Sequence, residues 1–184
     1  METTAVYWES KIKTYGFQLE RDLSLLILKI DQQKLHLYGH LIEKLGDLGI
    51  KFSLVFGQFH DSSTLNVFMA VKSAPAERLL DYLSHDSPAK GGEDVYRITP
   101  VEILSFQGPH YGDRYGIAFT LLETLKSGGI SIIASCCSVS CIYLLLKGGK
   151  ADEAREILLK NFEIPSKSNH RKGLLKRNIH GDGR

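Results

Sequence analysis

The sequence predicts an α+β fold built from two β-α-β-β-α units, each an antiparallel sheet with its helices on one face. Three observations carry this. Apolar runs of strand length alternate with amphipathic stretches of helix length. The order of those elements occurs twice. One helix and its exit match between the two occurrences at a constant offset of 80. At 184 residues, with 43% hydrophobic and 24% charged residues, the chain is long enough to bury a core and too apolar to be wholly disordered.

The elements follow in order. Leu23 to Ile30 (LSLLILKI) is a continuous apolar run and predicts a strand buried on both faces. Lys34 to Leu48 carries apolar residues at 37, 41, 42, 45 and 48, an amphipathic stripe, and Gly49 follows where a left-handed cap belongs. Ile50 to Phe59 and Thr64 to Val71 are rich in β-branched and aromatic residues, and Asp61-Ser62-Ser63 between them predicts a hairpin turn. Pro75 suits the first turn of a helix whose Leu79, Leu80 and Leu83 face inward. Val95 to Thr99 supplies a strand joining the units.

The second round begins with a strand at Val101 to Phe106 and a glycine-bearing loop from Gly108 to Arg114. A helix spans Gly116 to Lys126 and ends at Gly129. Ile130 to Val139 and Cys141 to Leu146 form a second hairpin. A last helix covers Ala151 to Phe162, with Asp152 and Glu153 in its first turn. At the offset of 80, Leu41, Glu43, Leu45, Gly49 and Ile50 recur as Leu121, Glu123, Leu125, Gly129 and Ile130. This is an internal duplication, and each unit is the ferredoxin-like βαββαβ arrangement. The expected divisions are 12–94 for the first unit, 95–165 for the second and 166–184 for a tail. The opposite sheet face then needs cover from the second unit or a second chain.

Charge separates the tail from the body. Residues 166–184 carry a net +5 and the rest of the chain −3, within an overall +2. An acidic body argues against a nucleic-acid groove. The tail reads as a solvated C-terminus, or as a docking arm for an acidic partner. The polar opening Met1-Glu2-Thr3-Thr4 is no signal peptide, and no apolar run is long enough to span a membrane. Cys136, Cys137 and Cys141 are an odd set within six residues, which is neither a disulfide framework nor the paired knuckles of a zinc site. They read as packing residues in a reducing, cytoplasmic compartment. His36, His40 and Glu43 share helical spacing on the exposed side and read as solvated. No cofactor or metal is expected.

The span from Gly108 to Leu158 resembles the second ACT domain of aspartate kinases. The matching motifs are Gly108, Gly116-Ile117-Ala118, Gly129-Ile130-Ser131-Ile132, Cys136-Cys137-Ser138 and Ala151-Asp152-Glu153-Ala154, with no gap between Gly108 and Ile142. Upstream, Lys13-Thr14-Tyr15-Gly16-Phe17 followed by Arg21-Asp22 resembles the entry to the first ACT domain of those kinases. The departures are specific. Gln33-Lys34-Leu35-His36 stands where the family has its Asp-x-Pro-Gly loop, Lys51 and Ser131 replace Asn, and Tyr115 replaces Pro. The kinase's Lys-Phe-Gly-Gly motif is missing; Lys90-Gly91-Gly92 and Lys147-Gly148-Gly149 lie in the wrong context.

The resemblance implies a tandem ACT module without a catalytic domain, a non-enzymatic sensor of a small amino-acid effector. It further implies a homodimer and a biosynthetic enzyme as partner. The alternative is an assembly protein that keeps the fold and has lost the ligand. In the second unit, glycines ahead of a helix favour a carboxylate. The candidate site is therefore Gly108, His110, Gly112, Asp113, Tyr115, Gly116, Ile117 and Ser131, with Asp113 meeting the ligand's ammonium and Ser131 adding a polar contact. An RNA-recognition reading of the same element order fails on its central strand, Thr64 to Val71, which holds a single Phe and no basic–aromatic alternation.

Overall fold

The computed structural model describes residues 10–85, 95–109, 111–112 and 114–165. The basic tail lies outside them. Eight strands and four helices are described: β1 Ile12–Lys13, β2 Gly16–Asp31, α1 Leu35–Asp47, β3 Phe52–Phe59, β4 Thr64–Lys72, α2 Ser73–His85, β5 Val95–Gln107, α3 Ile117–Ser127, β6 Ile132–Cys137, β7 Cys141–Lys147, α4 Ala151–Leu158 and β8 Phe162–Glu163. Six strands form one antiparallel sheet in the order β3-β4-β2-β5-β7-β6, and β1 pairs with β8 in a small parallel sheet.

The duplication is carried into three dimensions. Leu45 and Leu125 are each 0% exposed, Ile50 and Ile130 5% and 6%, Ile42 and Leu122 45% and 48%. Gly49 and Gly129 close their helices at φ +67° and +74°. The next amides, of Ile50 and Ile130, donate to the carbonyls of Leu45 and Leu125 at 3.1 and 2.9 Å. That is the six-to-one bond of a Schellman cap, which requires a left-handed residue and so a glycine.

The two ferredoxin-like units share their strands. β2 is twice the length of the apolar run that announced it. Its later half pairs with β4 and, at Leu25 to Leu28, with the start of β5 at Val95 to Ile98. Its earlier half, Gly16 to Glu20, pairs instead with Gln107 to Ile103 at the end of β5. Each long strand is thus the first strand of one unit and the fourth strand of the other. The sixth element of the second unit comes from the N-terminal side of the chain. The segment after α4 pairs with β1 outside the main sheet.

Sharing a strand between units demands a change of phase. Phe17 and Leu19 pack under α3 and α4 with Leu121 and Ala154, whereas Leu26, Leu28 and Ile30 pack under α1 and α2 with Leu41 and Leu79. The inward residues are odd-numbered in one half and even-numbered in the other. The register supplies the difference. β2 holds one extra residue between Glu20 and Leu23, where Asp22 takes φ +60°, and β5 holds one extra between Ile98 and Val101. Each bulge moves the two-residue alternation by one and keeps the apolar face toward the helices.

The helix-free face is closed in part by the sheet's own curl. Leu23, Leu25, Phe68, Ala70, Val101, Ile103 and Leu145 bury one another there. Ser53 of β3 donates to Glu20 of β2 at 2.6 Å, across the intervening β4. The run Leu23 to Ile30 is therefore buried on both faces, as its composition required. At the β3–β4 turn, Asp61 accepts from the Ser63 amide and hydroxyl and the Thr64 amide, which holds its carboxyl down to about 2.

One buried acid ties the bulges to the second unit. Glu102, 7% exposed, accepts from the Ala151 amide at 2.9 Å and so caps α4 from the neighbouring strand. Arg21, in the β2 bulge, reaches Glu102 at 3.5 Å and Asp152 at 2.6 Å. Lys150 at the N-cap position offers no side-chain cap of its own. Glu102→Ala leaves a buried helix amide without its acceptor and Arg21 with Asp152 alone, and is expected to lower stability by about 2 kcal/mol in urea denaturation. An unchanged midpoint would contradict this role.

Candidate functional site

The loop from β5 into α3 is held by close packing at its start and left open at its end. A Cβ at Gly108 would collide with the Lys13 carbonyl and the Tyr111 ring, so this glycine lets the loop lie on β1. The buried Thr14 hydroxyl donates to the Gln107 carbonyl at 2.7 Å and fixes the same junction. Tyr111 sets its edge on Phe106 with centroids 6.2 Å apart, beside the Phe17 and Phe162 rings that also contact Phe106. Its hydroxyl oxygen is buried and has no hydrogen-bond partner among the described residues. That burial raises the phenol's pKa, while nearby Thr14 and the Arg114 charge offset it in part. A Cβ at Gly112 would come 2.7 Å from Val139, so this glycine lies against the β6–β7 turn.

At the far end Gly116 adopts φ +83° and starts α3 with no side-chain cap among the described residues. The first bond of the helix runs from the Thr120 amide to the Gly116 carbonyl at 2.9 Å. The amides of residues 117–119 precede it, and they carry the positive end of the helix dipole. They border a pocket of about 260 Å³ lined by Tyr111, Arg114, Tyr115, Gly116, Cys137 and Ser138, with Ile117, Ala118 and Ile142 at its base. The hairpin of β6 and β7 forms the opposite wall. There the Ser138 hydroxyl is committed to the turn, accepting from the Cys141 amide at 3.2 Å and donating to its carbonyl at 3.3 Å.

The predicted residues divide as follows. Tyr115, Gly116 and Ile117 come together in the pocket. Gly108 and Gly112 pack beside it. Ser131 stands before β6, at the opposite end of that strand from the lining residues Cys137 and Ser138, and does not line the pocket. His110 and Asp113 lie outside the described residues. Sequence reasoning missed Tyr111, Arg114, Cys137, Ser138 and Ile142. Arg114 had a local signal, a cation two residues before the helix. The hairpin residues had none, because only the β5–β7–β6 register brings them there.

The three cysteines are not packed away as expected. Cys136 and Cys141 are half-buried, and Cys137 is exposed at the pocket rim. Partial burial and the neighbouring Cys136 and Cys141 raise the Cys137 thiol and keep it protonated at neutral pH. Among the described lining residues there is no carboxylate or imidazole. The described lining holds one guanidinium, helix amides and two phenols, groups that can donate to an anion.

The first unit is built differently at the equivalent place. Asp31 accepts from the Gln33 amide at 2.9 Å, and a 3-10 turn at Gln32–Lys34 leads into α1. Beside α1 lies a groove of about 350 Å³ lined by apolar residues, among them Leu35, Tyr38, Ile42, Val55 and Met69. It has no charged residue in its lining.

Sequence comparison yields neither a matching family model nor a curated relative. Structure comparison does. The regulatory subunit of aspartate kinase from Thermus flavus superposes with a TM-score of 0.70 at 17% identity, over 80% of this chain and 97% of that one. The chain has the fold of an aspartate kinase regulatory subunit. The ligand-free regulatory subunit from Thermus thermophilus gives 0.67 at 18% identity, over 82% and 99% of the two chains. E. coli aspartokinase III, crystallised with lysine and aspartate, gives 0.56 at 19% identity, over 84% of this chain and 34% of that one. The chain therefore spans nearly the whole of the regulatory subunits and about a third of the aspartokinase.

Gly116→Ala tests the open end of this loop. Its Cβ meets nothing within 4 Å, so the expected cost is the left-handed backbone alone, about 1 kcal/mol in urea denaturation. Gly112→Ala must also displace the Val139 hairpin. A smaller loss for Gly112→Ala than for Gly116→Ala would contradict the packing described.

Proposed function

We propose that this chain is a non-catalytic, amino-acid-sensing regulatory protein made of tandem ACT units, and that it acts on a biosynthetic enzyme. The observation that carries the reading is the uncapped start of α3, opening on a pocket beside Arg114, in a fold shared with aspartate kinase regulatory subunits. The ligand's carboxylate sits on the amides that follow Gly116 and on the Arg114 guanidinium. Asp113, outside the described residues, is assigned to its ammonium end. The side chain lies along Tyr115, Ile117 and Ile142. The first unit binds no such ligand, because a 3-10 turn capped by Asp31 leads into α1 and takes the Leu35 amide on the Gln32 carbonyl, and the apolar groove beside it gives a carboxylate nothing to replace its water. E. coli aspartokinase III, a third of which this chain matches, is crystallised in complex with lysine and aspartate.

The same reading makes the chain a cytoplasmic homodimer. Strands β3 and β6 are the two free edges of the sheet. Exposed apolar side chains flank both, Leu35, Ile42 and Val55 on one side and Tyr115, Phe119, Leu122 and Val139 on the other. No helix among the described residues is long and apolar enough to cross a membrane.

A thermal-shift screen of the twenty amino acids tests the assignment. One of them is expected to raise the melting temperature, since a ligand at 100 times its Kd adds about 2.7 kcal/mol. Arg114→Ala is then expected to weaken that ligand about ten- to a hundredfold by calorimetry, the worth of one charge-assisted hydrogen bond. Stabilisation by none of the twenty would contradict the sensing role and leave assembly as the function.

A further inference from the structure

The helix-free face of the sheet has opposite character in its two halves. In the first half the cross-strand row Tyr96, Ile27, Phe68, Phe56 is apolar, and Phe56 stacks on Phe68 with centroids 4.7 Å apart. In the second half the rows are polar. Gln18 stands opposite Ser105, Ser105 opposite Tyr143, and Tyr143 opposite Cys136. The next row holds Gly16, Gln107 and Cys141. These rows floor a trough of two adjoining cavities, about 340 and 380 Å³, which share Gln18, Ser105 and Tyr143. Tyr15 and Gly16 stand at one end; Glu20 and Ser53 stand at the other. Lys72 approaches Glu20 at 3.2 Å, but among the described residues no Lys, Arg or His lines the trough itself.

Amide, hydroxyl and phenol groups in rows both donate and accept, and that matches the alternating N–H and C=O groups of an extended peptide. A peptide of this chain starts at the mouth. β8 runs parallel to β1, and the Glu163 carbonyl accepts from the Thr14 amide at 2.8 Å. Chain leaving Pro165 therefore emerges beside Tyr15 and Gly16. The 19 residues that follow carry +5, against −3 for the rest of the chain. An extended strand rises about 3.3 Å per residue, so about five of them cover the distance from Gly16 to Glu20.

We propose that residues 166–184 dock in this trough, with their backbone along Gln18, Ser105 and Tyr143 and their cations toward Glu20. The helix-free face of the second unit is then occupied by the chain's own C-terminal segment, apart from the α3 pocket and independent of what that pocket binds.

Cys141 lines the trough and reports on its occupancy. In a full chain carrying Cys136→Ser and Cys137→Ser, Cys141 is the one thiol. Its alkylation by iodoacetamide is expected to run about fivefold slower than in the same chain ending at Pro165, the ratio set by a docking free energy of about 1 kcal/mol. Free peptide 166–184 should restore protection to the shortened chain. Protection should fall away at about 1 M salt, where the Debye length is about 3 Å. Gln18→Arg, at an exposed position the fold tolerates, should abolish protection in the full chain. Equal rates in full and shortened chains would overturn the proposal. So would protection that survives Gln18→Arg, which puts the tail elsewhere, or protection that rises with protein concentration, which puts a second copy in the trough.

Discussion

Everything else in this structure depends on the antiparallel pairing of β2 with β5. Each strand crosses from one unit to the other and completes a sheet there, so neither unit owns four strands of its own. The pairing works only because each strand holds one extra residue near its middle. Without those bulges the apolar residues of one half would point away from their helices. Arg21, in the first bulge, then binds Glu102, just past the second, and Glu102 caps α4. Strand exchange and the placement of α4 thus form one continuous chain of contacts.

The pocket inherits its geometry from that arrangement. Gln107 ends β5 with its carbonyl bonded by Thr14, which fixes where the glycine loop begins. The β5–β7–β6 register fixes where Cys137 and Ser138 stand across from it. In the loop from β5 into α3, among the described residues, Gly116 alone takes a left-handed backbone, and it aims α3 with no side-chain cap on its first amides. Duplication supplied two such helix entries. The first is entered through a 3-10 turn that Asp31 caps and is walled by apolar side chains, while the second is entered directly from Gly116 beside Arg114. Divergence at a few loop positions separates a packing site from an anion site on one scaffold.

Much of the fold was legible in the sequence because its signals are local. The stripe at 37, 41, 45 and 48, the glycines at 49 and 129, and the offset of 80 all report on contacts within one or two turns of chain. The strand exchange was not legible. Gly16 to Glu20 reads as a polar lead-in (GFQLE), and its strand character comes from a partner nearly ninety residues away. The site divided the same way. Gly116 and its neighbours announce a helix start in place. Ser131 was drawn in by its position in the resembled motif, yet it sits at the wrong end of β6. Tyr111 and Cys137 reach the pocket through aromatic packing and strand register, which no short window contains.

Native-state hydrogen exchange, read residue by residue along Gly16–Asp31 and Val95–Gln107, tests the shared-strand account most directly. If β2 and β5 hold both units together, their amides exchange only by global unfolding, with one common free energy in both halves. Two distinct free energies, one for Gly16–Glu20 with the end of β5 and another for Leu25–Leu28 with its start, would show two units that open independently and would contradict it.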